Sequence, residues 1–363
     1  MKLYLTGETA SQARHCYFIA GRSVSFLVDC GYQRAYAGDE LPHLSLEQIR
    51  QANYLFLSHS HENQSGALPR LISRGFTGRV VLTTETARQL SYGLDDPLVL
   101  EGLSLPGASF RLPGGLEVTW GRSGHCSGSA WFRFEDGGRS VLFSGDYFDH
   151  ARVHAFDPIV GQKADLAVLD CDYGMGGANE REAQVDALLG AIAEALADGR
   201  PVLLPVPRYG RGVGILTHLC ERLPDCDVFA DAHFIRELSH MDATALWIRR
   251  EALIQLDAVY LRPIPESFLA LGVYFLCDPQ LDTPEGQRLA QRILEVGGRI
   301  LFTGTTEPGT TASLMRHAGQ AHLLRYGVHC TQEDMLRVAS MNAFRRIIAY
   351  HSDYAPTESP IDI

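Results

Sequence analysis

Four short polar clusters sit at or near the ends of apolar stretches, and their residue types are those that bind metals. The first is Leu57-Ser58-His59-Ser60-His61-Glu62-Asn63-Gln64-Ser65-Gly66. The others are Gly124-His125-Cys126-Ser127-Gly128-Ser129, Phe143-Ser144-Gly145-Asp146-Tyr147 and Tyr350-His351-Ser352. Histidine nitrogens with an aspartate oxygen suit zinc in a tetrahedral or open site. Two histidines two residues apart at a strand end can aim both imidazoles at one point where the chain bends. Taken singly, each cluster has an ordinary reading: a histidine after a strand can cap or face solvent, and Asp146 after Gly145 fits an Asx turn. Their order along the chain, each near an expected strand exit, is what favours metal binding over those readings.

Positioning such groups requires rigid strand ends, and the sequence supplies candidates. Short apolar, β-rich stretches recur at Val24–Val28, Tyr54–Leu57, Val80–Leu82, Val141–Phe143, Leu166–Leu169, Val202–Val206, Ile300–Thr303 and Ile347–Tyr350. Helical periodicity lies between several of them. Arg181 to Asp198 carries Val185, Leu188, Leu189, Ile192 and Leu196 at helical spacing, with Gly199 as the expected C-cap. Gln287–Val296 and Gln332–Val338 show the same pattern, and Glu135-Asp136-Gly137-Gly138-Arg139 reads as a hairpin turn. Strands alternating with helices argue for a layered α/β architecture. The first 174 residues are dense in short strands, the stretch to about 315 alternates longer helices with strands, and the end returns to strand-then-ligand style. An insertion inside a larger domain is therefore expected.

The ordered set resembles the metallo-β-lactamase fold. Phe26-Leu27-Val28-Asp29-Cys30-Gly31 looks like its first motif, followed by the His59/His61 cluster, His125, Asp146 and a final His351. Further marks resemble the β-CASP nuclease branch, which includes RNase J and the cleavage-and-polyadenylation endonuclease: Leu169-Asp170-Cys171-Asp172-Tyr173-Gly174, Val328-His329-Cys330-Thr331, and Phe302-Thr303-Gly304 with Glu307-Pro308-Gly309-Thr310. The resemblance implies an αββα sandwich (1–174 and 316–363) with an inserted β-CASP-like α/β domain (175–315). It also implies that His59, His61, His125 and Asp146 hold one metal, and that Asp170 and His329 manage protons. A second metal would use Asp146, His351 and an Asp-His pair ending the second motif. Here Asn63 and Gln64 stand at those two positions. An amide in place of a carboxylate removes a charge, and Gln in place of imidazole removes a good zinc ligand. One zinc is therefore expected, with the second site weak or empty.

Cys126, Cys171 and Cys330 each follow one of these residues and read as small buried groups packed under the site, with a softer metal site as the sharper alternative. Tyr209-Gly210-Arg211-Gly212-Val213-Gly214 follows a strand without a Walker lysine and gives a weak phosphate-loop signal. Arg208 and Arg211 are the candidates there for phosphate contacts.

The 363 residues are 45% hydrophobic and 21% charged, as in ordinary globular proteins, and length alone allows two domains. No apolar run is long enough to cross a bilayer, and the N-terminal residues do not read as a signal peptide, so a cytoplasmic protein without membrane association is expected. The eight scattered cysteines read as reduced thiols. With 32 Lys+Arg against 43 Asp+Glu, the net charge of −11 disfavours wrapping a long phosphate backbone but leaves room for a local basic cleft. The leading expectation is metal-dependent phosphodiester hydrolysis of nucleic acid. A catalytically silent paralogue acting as a partner subunit is the alternative the eroded motif favours, and a small-substrate hydrolase is the one the acidic balance favours. Assembly with itself or with a paralogous partner is compatible with each.

Overall fold

The computed structural model describes residues 1–7, 14–32, 42–172, 178–241, 246–352 and 359–363. The chain divides into two compact units. The first comprises 1–151, 155–176 and 329–363, and the second 152–154 and 177–328.

The first unit contains two large sheets. One runs Ile361–Asp362, Lys2–Leu5, Tyr17–Ala20, Ser25–Val28, Ala52–Phe56, Arg79–Leu82, Leu98–Val99. The other runs Ile347–Tyr350, Leu166–Asp170, Arg139–Phe143, Ala130–Asp136, Glu117–Arg122, Ser109–Arg111. Strand side chains alternate between faces, and this alternation builds the layers. Phe26, Phe56, Phe132, Phe134 and Phe143 meet between the sheets, with ring centroids 4.6 Å apart for Phe26–Phe134 and for Phe56–Phe134. The opposite face of the first sheet, through Leu27, Leu55, Leu57 and Leu82, packs on Ile49, Leu68 and Leu71 of two helices. The outer face of the second, through Trp131, Leu142, Ala167 and Leu169, packs on Met335 and Val338 of helix Gln332–Ser340. Helix, sheet, sheet and helix give the expected αββα sandwich.

Register explains where a site must form. Ser25–Val28, Ala52–Phe56 and Arg79–Leu82 are parallel neighbours. So are Arg139–Phe143, Leu166–Asp170 and Ile347–Tyr350. Parallel strands bring their C-terminal ends to the same edge of a sheet, so Asp29, His59, Asp146, Asp170 and His351 all leave their strands at such edges. Asp29 and His351 do so with left-handed backbones, φ 57° and 61°, an uncommon conformation for residues other than glycine. The hairpin at Gly137-Gly138 has φ of 60° and 79°, as a type I′ turn requires.

The second unit is an entirely parallel six-stranded sheet: Arg262–Pro263, Val228–Ala230, Val273–Leu276, Val202–Pro205, Arg299–Phe302, His322–Leu323. Its central strands are wholly buried because helices cover both faces, which is why they read as unbroken apolar runs. Helix Ala178–Ala197 ends at Gly199, φ 74°. The return to the first unit falls at 328/329, not at the 316 expected from sequence, because His322–Leu323 pairs with Leu301 and Phe302. Residues 152–154 also join this unit, where His154 bridges Ile248. Among the described residues no helix is long and apolar enough to cross a membrane.

Candidate metal centre

Asp29 begins the site. Its Oδ1 accepts from the Ser58 backbone N–H at 2.7 Å and its Oδ2 from the Ser58 hydroxyl at 2.9 Å. With its proton committed to Asp29, Ser58 Oγ can only accept from His59 Nδ1, 3.0 Å away. With Asp29 ionised, this chain of bonds puts the His59 proton on Nδ1 and its lone pair on Nε2. Burial pushes the Asp29 carboxyl up to about 8, against the lowering by the two Ser58 bonds and with a smaller push from Asp146. Burial, with help from His61 and His125, holds His59 well below the ordinary histidine range, so its imidazole is neutral.

His61 Nδ1 lies 3.1 Å from His59 Nε2 and 3.3 Å from His125 Nε2. Asp146 Oδ2 lies 3.5 Å from His59 Nε2 and 3.7 Å from His125 Nε2. Ligand distances of about 2.0–2.1 Å place neighbouring donors of a tetrahedral ion about 3.3 Å apart. Three imidazole nitrogens therefore converge at the spacing such an ion demands, with the Asp146 carboxylate beside two of them, and the residues fit a divalent metal. Gly124 permits the turn into His125: its φ is 80°, and a Cβ there would sit 2.4 Å from the Phe148 carbonyl oxygen.

Beside this set lies a second group. Asp170 Oδ2 accepts from His329 Nδ1 and Oδ1 from His351 Nδ1, each at 3.0 Å, while the Tyr147 N–H also donates to Oδ2 at 2.9 Å. Burial alone would raise the Asp170 pKa, but His329 and then His351 hold it well below the usual carboxylate range. Burial opposes charge on His351, yet Asp146 and then the Asp170 bond raise its pKa above the ordinary value. His125 and His329 rings are 4.6 Å apart. The sequence-derived residues His59, His61, His125, Asp146, Asp170, His329 and His351 thus lie in one neighbourhood, buried except for the half-buried His61.

The two departures from the expected pattern are also here. Gln64 is buried and its Nε2 donates to both Asp146 oxygens at 3.3 Å. Asn63 uses its carbonyl to accept from the His15 N–H at 2.8 Å. His15 was not foreseen. It is a solitary histidine in no spaced motif, yet its Nε2 lies 2.7 Å from His351 Nε2. Tyr350, whose hydroxyl donates to Asp146 Oδ1 at 2.7 Å, was likewise visible only as a strand residue.

Cys126, Cys171 and Cys330 are buried thiols. Burial raises Cys171 to about 11 and Cys330 well above the ordinary thiol value, and both pack among Trp131, Leu142 and Met335. That is the packing role, and no cysteine joins a metal-ligand group among the described residues. Arg208 and Arg211 lie in the second unit, just before and at the start of helix Arg211–Arg222 respectively. The preceding loop does not present free amides: Tyr209 and Gly210 N–H groups donate to the Glu237 carboxylate at 3.1 and 3.0 Å, which weakens the phosphate-loop reading. A further His/Asp group, Asp149, His150 and Asp334, is met by the Arg337 guanidinium.

Residues 12–163 match the model of the metallo-beta-lactamase superfamily. The chain carries a metallo-β-lactamase domain. Among curated relatives, the endoribonuclease YSH1 of Yarrowia lipolytica is 28% identical over 64% of this chain and 30% of its own length. Cleavage and polyadenylation specificity factor 73 of Drosophila melanogaster is 25% identical over 59% and 35%. A ribonuclease of Thermus thermophilus is 26% identical over 60% and 54%. The matched regions span from under a third to about half of these proteins. A crystal structure of a protein of unknown function from Enterococcus faecalis superposes over 100% of this chain and 99% of that one, with TM-score 0.60 and 11% identity, which shows a shared fold. Two of these relatives are named as ribonucleases, and the metallo-beta-lactamase superfamily implies metal ions.

Proposed function

We propose that this protein is a metal-dependent hydrolase of nucleic-acid phosphodiester bonds, working from the His59, His61, His125 and Asp146 centre. The observation that carries the reading is the convergence of three imidazole nitrogens, with Asp146 beside two of them, next to the Asp170–His329 pair. A divalent ion held there supplies Lewis acidity toward a phosphoryl oxygen and acidifies water to a pKa near about 7. The protein's own contribution is orientation. Asp29 and Ser58 fix His59, and burial keeps competing water away. Asp170 holds His329 through Nδ1 and leaves Nε2 as the atom that exchanges a proton with the leaving oxygen. Zinc is the ion that this nitrogen-rich set suits best. The second unit takes the part of a β-CASP-like insertion, with Arg208 and Arg211 as its phosphate contacts.

The test is His329→Ala assayed on single-stranded RNA and DNA with bound metal quantified in parallel. Metal content is expected to hold while turnover falls about 10²–10⁴-fold. Equal turnover in the variant would remove His329 from the chemistry. The silent-partner reading draws on Asn63 and Gln64, and a metal-loaded natural protein without phosphodiesterase activity would favour it.

A further inference from the structure

The short helix Thr84–Gln89 reads Thr-Glu-Thr-Ala-Arg-Gln and holds no large apolar side chain, yet it buries Glu85, Thr86 and Gln89. Such residues are mostly exposed in folded proteins, and burying them costs free energy unless hydrogen bonds compensate. Here the compensating partners lie on the two loops that carry His59, His61 and His125. We infer that Gln89 is a positioning residue of the metal centre, its one amide tying the His59–His61 loop to the His125 loop so that the imidazoles keep ligand spacing. This rests on the metal-centre reading above and deepens it.

The amide has a single way round. Its nitrogen donates to the Ser127 carbonyl at 2.9 Å and to Glu85 Oε1 at 3.2 Å. A carbonyl can only accept, so the nitrogen must lie on that side. Gln89 Oε1 is thereby turned to Ser60, whose hydroxyl donates to it at 2.6 Å. Ser60 stands between His59 and His61, and Ser127 is two residues beyond His125. The amide therefore spans the loops whose histidines meet at 3.3 Å, His61 Nδ1 from His125 Nε2.

The rest of the helix keeps Gln89 in place. Thr83, Thr86 and Gln89 recur every three residues and share one face. The Gly128 carbonyl accepts from the Thr83 and Thr86 hydroxyls at 2.9 and 3.0 Å. The helix presses on the His125 loop as closely as glycine allows: a Cβ on Gly128, whose φ is 90°, would lie 2.8 Å from the Thr86 nitrogen. Glu85, which steadies the Gln89 amide, is itself paired with Arg88 Nε at 3.1 Å. Nearer the strands, the Ala130 N–H donates to the Ser58 carbonyl at 2.8 Å. The two loops are thus joined at their base by backbone and further out by Gln89, so loss of the amide should alter ligand spacing while the sheets stay as they are.

The experiment measures metal binding on the full chain. Gln89→Leu keeps the volume and removes all three amide bonds, and Ser60→Ala removes one of them from the other end. Zinc affinity of Gln89→Leu, by competition with a chromophoric chelator, should fall about 10–100-fold, the usual cost of losing an outer partner of metal ligands. The visible bands of the cobalt(II)-loaded protein should shift in position and intensity. Ser60→Ala should move the same bands less, and the double variant should be no weaker than Gln89→Leu, because the Ser60 bond is already gone there. A merely structural role would lower the urea midpoint and leave the cobalt bands as they are; that result would overturn the assignment. If Gln89→Leu does not fold, Ser60→Ala decides, and natural affinity with natural bands in that variant would overturn it equally. His125→Ala in the same assays checks the reading beneath. Affinity lost there but natural in Gln89→Leu sinks this inference alone. A natural protein that binds neither zinc nor cobalt, or binds them regardless of His125, sinks both.

Discussion

At the residue scale the site is a matter of which nitrogen carries a proton. Ser58 illustrates this, since it touches no expected metal position yet decides how His59 is presented. Its hydroxyl sits between Asp29 Oδ2 and His59 Nδ1. Ser58→Ala keeps the backbone bond to Asp29 and removes both side-chain bonds, so the His59 ring loses its tautomer control. Loss of such outer partners typically weakens metal binding about 10–100-fold. Zinc affinity measured by competition with a chromophoric chelator should fall in that range, with the far-ultraviolet spectrum unchanged; an unaltered affinity would show that burial alone orients His59. The sequence made His59, His61, His125 and Asp146 legible because their spacing after apolar strands is a pattern. It could not reveal His15. A lone histidine before Cys16 has no periodicity, and only the backbone pairing with Asn63 brings it to the site.

At the scale of elements, the strands were legible because each is a short apolar run, and their edges were set to within a residue or two by the polar clusters. Sequence does not state which face of each strand meets the other sheet. The phenylalanines settle that. Phe134 is fully buried and packs on Phe26, Phe56, Phe132 and Phe143, so it ties both sheets together below the edge where the ligands emerge. Phe134→Ala removes a ring from a closed interface and leaves a cavity. Such substitutions cost about 3–5 kcal/mol, and urea denaturation followed by circular dichroism should register a loss in that range. A loss below about 1 kcal/mol would mean that the sheets close over the gap and that Phe134 is not a pivot of the sandwich. Phe134→Leu should recover a large share, because most of the volume returns.

At the scale of the whole molecule, the interrupted order of segments was legible from the return of strand-then-ligand style after residue 315, but its boundary was not. Residues 316–328 look like the first unit in sequence and belong to the second, because a two-residue strand there pairs with Leu301 and Phe302. Charge is the other property of the whole. A chain of net charge −11 gains nothing from bulk electrostatics on approaching a polyanion, so binding of nucleic acid must rest on a few local cations. Arg208 is one that the sequence singled out; its Nη2 donates to His233 Nε2 at 3.1 Å, and burial followed by the Arg208 charge lowers the pKa of His233. A single phosphate contact contributes about −0.7 to the slope of log affinity against log salt for single strands. Fluorescence anisotropy with short single-stranded oligonucleotides, between about 50 and 200 mM salt, should therefore give a shallow slope for the natural protein. Arg208→Ala should make it shallower by about one contact and weaken binding alike for every sequence. An unchanged slope would remove Arg208 from the contact set. A natural protein whose affinity ignores salt altogether would count against a nucleic-acid substrate, and with the metal centre loaded it would turn the search toward small phosphodiesters.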